Sequence, residues 1–364
     1  MSSSDFDSKF EGIWRRALNE PSLGALTPEL VVKWTSDKGL ADPVAIACGV
    51  GAFHPTPSIV LEVGGRKACF PKSAVAGDES WNTRRRAKDD EALLWEKMEW
   101  FAPLWLPMGK LQEMVSAVRH CTKERAIELF DYHTSTLYTV AFKAVCIAQI
   151  MPRARSLQEI VPLAREAYLG VYSGYRASSI AALIPAIEGS LTRIVSDLDP
   201  SATAPDKIDH AINRAIRTAA DLHFEGMWVP NEYKTVDYLF GQDERVFAFE
   251  TFRRWLKNFF FCNTASYQGL TWLNRHNVCT RNGLLLAAAD QFQPFDSCTH
   301  YAGRNRVLVR RKSLGIIRAP RDESRQYAPV AASTFPSRGA DGAEDYRTRS
   351  LPEIWSACSR DANR

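Results

Sequence analysis

With 364 residues the chain is long enough for two domains and a sizeable core, and 45% apolar against 24% charged residues is ordinary for a globular protein. No window approaches the ~18 consecutive apolar residues of a membrane span, and the start MSSSDFDSKFEG lacks the basic-then-apolar layout of a signal peptide, so a cytoplasmic protein with no membrane partner is expected. The net charge of +4 is unevenly placed: residues 295–364 hold twelve Arg and one Lys against eight Asp/Glu, which leaves 33 basic and 34 acidic residues elsewhere, so any RNA site in the body must be a local patch.

Residues 1–40 read as short helical pieces such as FEGIWRRAL, separated by Pro and Gly. Residues 43–71 change character. PVAIACGV, SIVLEV and KACF are short runs rich in β-branched residues and predict two or three strands. Gly64-Gly65 between VLEV and RKACF is a hairpin signal. The run Arg84-Arg85-Arg86-Ala87-Lys88 is expected to be solvated surface, with an RNA or partner role as the sharper alternative.

From about residue 89 the apolar spacing is helical. The stretch 126–150, AIELFDYHTSTLYTVAFKAVCIAQI, predicts one or two buried helices. MPRARS then breaks the pattern with a Ser cap signal. In 178–198, Ile180, Leu183, Ile184, Ile187, Leu191, Ile194, Val195 and Leu198 form a ladder, and Pro185 should kink the helix or mark its first turn. Residues 206–224 predict the next helix, and WVPNEY a loop. In 244–261 the stripe Phe252, Trp255, Leu256, Phe259 and Phe260 reads as core.

The eight cysteines are scattered and form no CxxC pair, which argues against a zinc ribbon or a disulfide framework and for buried free thiols. The histidines show no ligand spacing, and no phosphate loop or nucleophile elbow occurs, so neither a metal nor a cofactor is expected. After Pro294 the apolar period disappears. Three readings fit this tail: a disordered basic segment, an RNA-binding arm, or a frameshift near 294–300.

The most informative stretch is LTWLNRHNVCTRNGLLL, 270–286. With IEGSLTRI before it, it resembles the late NRH segment of HEPN-like domains, an all-helical group that includes metal-independent ribonucleases. The resemblance covers roughly a third of the chain, residues 165–292. It implies a helical bundle in which an arginine and a histidine four to six residues further on act on RNA, often with two protomers sharing one cleft. Arg275 matches the arginine, Asn274 and His276 match its neighbours, and Thr280 stands in the histidine slot, followed by Arg281 where a glycine is usual.

Threonine is no general base at neutral pH, although its hydroxyl can bind phosphate. The resemblance therefore implies a degenerate site. Arg275, His276 and Glu188 are the catalytic candidates, and Asn274, Thr280 and Arg281 the RNA-binding ones. Arginine can hold a phosphate and histidine can move a proton. Glu188 lies on the apolar face of its helix, where an acid needs a partner, and it is expected to pair with Arg275. A literal R-x5-H at Arg217 and His223 falls in an earlier helix, and His223, aligned with Ile216 and Ala219, is expected to be a packed histidine.

The expected fold is mainly α. An N-terminal region 1–88 carries a small β element, followed by a helical region 89–160, an HEPN-like helical domain 161–293 and an irregular basic tail 294–364. The expected function is that of an RNase-related protein with impaired catalysis, in a toxin–antitoxin or phage-defence setting, acting on RNA as a homodimer and held by an antitoxin or another protein partner. If active, it would be a metal-independent endoribonuclease. The alternatives are a non-enzymatic helical binding or scaffold protein, and an unrelated helical protein in which NRH is coincidental.

Overall fold

The computed structural model describes residues 3–75, 79–103, 106–195, 201–263, 267 and 269. These form a mainly helical protein with one small sheet. Helix α1 spans Ser3–Leu18 and α2 Pro28–Asp37. Phe10, Ile13, Trp14 and Ala17 recur at helical spacing on α1 and are all buried. Thr27 caps α2, its hydroxyl accepting from the Leu30 amide, with Pro28 in the first turn.

Strands β1 (Val44–Val50), β2 (Thr56–Val63) and β3 (Arg66–Pro71) then make an antiparallel sheet in sequence order. Gly64 and Gly65 turn β2 into β3 with φ of +56° and +72°. Two successive positive φ values are those of the two-residue turn that matches strand twist. A Cβ on Gly64 would lie 2.8 Å from Phe6 Cζ, while one on Gly65 meets nothing within 4 Å. Gly64→Ala is therefore expected to lower stability clearly more than Gly65→Asn, which should cost under ~1 kcal/mol because Asn tolerates this region. Urea midpoints of the two variants check this, and equal losses would overturn it.

The outer edge of β3 is also occupied: Trp228 bridges Ala68 in parallel, the Cys69 amide donating to the Trp228 carbonyl at 2.7 Å. WVPNEY is thus no free loop, and Asn231–Tyr233 within it forms a 3-10 turn.

The remaining α-helices are α3 (Glu79–Lys97), α4 (Met108–Val118), α5 (Lys123–Leu137), α6 (Val140–Val145), α7 (Arg155–Gln158), α8 (Val161–Tyr172), α9 (Arg176–Ile194), α10 (Ala204–His223), α11 (Val236–Leu239) and α12 (Glu244–Trp255). Wider π-helical turns extend α6 through Cys146–Ile150 and α12 through Leu256–Phe260. A reciprocal capping box between Thr203 and Asp206, with Pro205 in the first turn, starts α10. One core cluster joins α1, α2, the sheet, α9, α10 and α12, and a second joins α3, α4, α5 and α12. In the stripe on α12, Trp255, Leu256 and Phe260 are buried, with Phe252 and Phe259 packed beside them, as expected.

Several expectations need correction. The helical segment expected from residue 89 begins at Glu79. The basic run in α3 is not simply solvated. Lys88 is 14% exposed, bridges Glu91 at 2.9 Å and Glu244 at 2.8 Å, and lies over the Phe247 ring. Burial alone would lower its pKa, but the two carboxylates outweigh that and raise it. Arg85 bridges Asp89 and Asp237 over Phe240.

The stretch 126–150 buries only Ala126 and Phe130, and no residue of 140–150 is buried. Ser156 does not cap α7, whose N-cap Ala154 makes no side-chain bond. Pro185 sits inside α9 rather than in its first turn. Ile184, Leu191 and Val195 are buried, whereas Leu183 is exposed and Leu198 lies outside the described residues. Of the described cysteines only Cys69 is buried, and burial pushes its thiol up to about 12.

No single helix among the described residues is long and apolar enough to cross a membrane. The spans Lys123–Leu137 and Val140–Arg153 pass together by length and composition, but meet at a 70° bend.

Candidate functional site

The apolar face of α10 runs Ile208, Ala211, Ile212, Ile216, Ala219, Ala220 and ends on His223, which is fully buried. Arg217 is exposed, so the literal R-x5-H spacing does not bring the two residues together. What His223 meets instead is Asp243, its Nδ1 standing 3.0 Å from Oδ2. Asp243 is the N-cap of α12, accepting from the amides of Arg245 at 2.9 Å and Val246 at 3.3 Å. The Arg245 guanidinium closes the knot as a fork, Nε to Oδ1 at 3.0 Å and Nη2 to Oδ2 at 2.6 Å. Burial pushes the Asp243 carboxyl up, yet its bonds to His223 and Arg245 outweigh burial and hold it below the usual range. An ionised Asp243 only accepts, so His223 donates from Nδ1.

The β1–β2 loop covers this knot. Gly51 has φ +122°, and a Cβ there would lie 2.6 Å from His223 Nε2. Phe53 lies under the Arg245 guanidinium, 5.6 Å from it. His54 is half-buried; burial and then the Arg84 charge lower its pKa. Buried atoms gather here: His223 Nε2, both amide atoms of Gln242 and Arg84 Nε have no hydrogen-bond partner among the described residues.

A carboxylate-oriented imidazole is the geometry of a general base. Here, however, Nε2 is shut against the Gly51 backbone, where no substrate atom fits. The knot ties the end of α10, the start of α12 and the β1–β2 loop together. Among the described residues no group of three or more His, Cys, Asp or Glu could hold a metal ion.

Of the residues singled out in the sequence, Glu188 sits on α9, half-buried, with Ile184 four residues before it and Leu191 three after it both buried. Asn274, Arg275, His276, Thr280 and Arg281 lie outside the described residues, as does the tail 294–364. Sequence reasoning placed His223 on the apolar face but missed Asp243 and Arg245. An acid just ahead of ERVFAF is a helix-start signal that could have flagged Asp243. The chain matches no protein-family model, no curated protein and no solved structure with which it was compared.

Proposed function

We propose that this chain is an HEPN-like, RNase-related protein with an impaired cleavage site, which engages RNA as a homodimer. The observation that carries the reading is the Asn274-Arg275-His276 segment, which follows in the chain a helix bearing the half-buried acid Glu188. The described helices are compatible with it. Phe260, where α12's extension ends, shares a core with Ile184 and Leu191, the neighbours of Glu188. The last described helical turn before Arg275 in the chain thus belongs to the same core as the acid-bearing helix.

In this reading Arg275 holds the phosphate, Glu188 orients Arg275, and His276 is the remaining proton carrier. Asn274, Thr280 and Arg281 contact RNA. On a helix His276 is rotated about 100° from Arg275, so it reaches a shared cleft less directly than a residue one turn on. Thr280 supplies a hydroxyl but no proton transfer near neutral pH. It also favours the second reading, a non-enzymatic RNA-binding or scaffold module.

A metal-free RNA cleavage assay on the wild type, Arg275→Ala and Thr280→His separates these. The expected result is no wild-type cleavage and activity in Thr280→His. Wild-type cleavage lost in Arg275→Ala would instead make the protein an active ribonuclease with His276 as the next residue to test. Silence from all three, together with no RNA binding in a filter assay, would overturn the RNA reading.

A further inference from the structure

We draw no further inference here: the strongest candidate, the cluster of buried side-chain atoms by the β1–β2 loop that have no hydrogen-bond partner among the described residues (His223 Nε2, both amide atoms of Gln242 and Arg84 Nε), belongs to the knot already described, and nothing beyond the lowered pKa of His54 in that loop points to a ligand or a movement there.

Discussion

Asp243→Asn is expected to lower stability by about 3–5 kcal/mol, the cost of breaking a buried ion pair from one side. Asparagine is nearly isosteric and can still cap α12, so the loss falls on the charges. Arg245 is 6% exposed, and without the carboxylate its guanidinium stays buried and uncompensated. His223, fully buried, loses its acceptor at the same time. Urea unfolding followed by circular dichroism measures the loss. A double variant, Asp243→Asn with Arg245→Met, separates the mechanism from a generic defect, because removing both charges should recover part of the stability. A loss in Asp243→Asn below ~1 kcal/mol would mean that the knot is not buried as described.

The same residue sets a pH dependence. The folded carboxyl lies below its unfolded value, so Asp243 contributes stability above about pH 4, where the unfolded carboxyl is already ionised. That contribution is lost as pH falls through the still lower folded value. Wild type and Asp243→Asn should therefore differ at neutral pH and converge in acid, where the wild type protonates too.

What could be read in the sequence was what local chemistry decides. The Gly64-Gly65 turn needs two positive φ values, and only neighbouring residues bear on that. The α12 stripe is legible because five large apolar side chains at helical spacing have few places to go but a core.

Two of the misreadings trace to partners distant in sequence. Lys88 looked solvated because its carboxylate Glu244 is 156 residues away. Spacing put His223 on a buried face, but nothing in its own helix names Asp243. The run through 140–150 shows the converse: composition says how apolar a helix is, not that anything covers it.

Gly51→Ala tests the cover over the knot, and its expected cost is on the order of 3 kcal/mol. Two terms combine. At φ +122° an L side chain is strained, which accounts for roughly 1–3 kcal/mol. The new methyl would also stand 2.6 Å from His223 Nε2, 2.7 Å from Cε1 and 3.3 Å from the His54 carbonyl oxygen. The ring has little freedom to retreat, because Asp243 holds Nδ1 and Phe224 packs edge-on at 4.8 Å between centroids.

Removing the ring separates the terms: Gly51→Ala on a His223→Ala background should keep the φ strain and lose the clash, costing roughly half as much. Urea midpoints of the four chains complete the cycle. If Gly51→Ala costs under ~1 kcal/mol in the wild-type background, the β1–β2 loop lifts easily from His223. Nε2 would then be open on the far side of a carboxylate-oriented imidazole, and the knot would regain a general base's accessibility. A large cost that His223→Ala relieves by half means that the loop is seated on the ring, and that His223 serves the fold rather than a reaction.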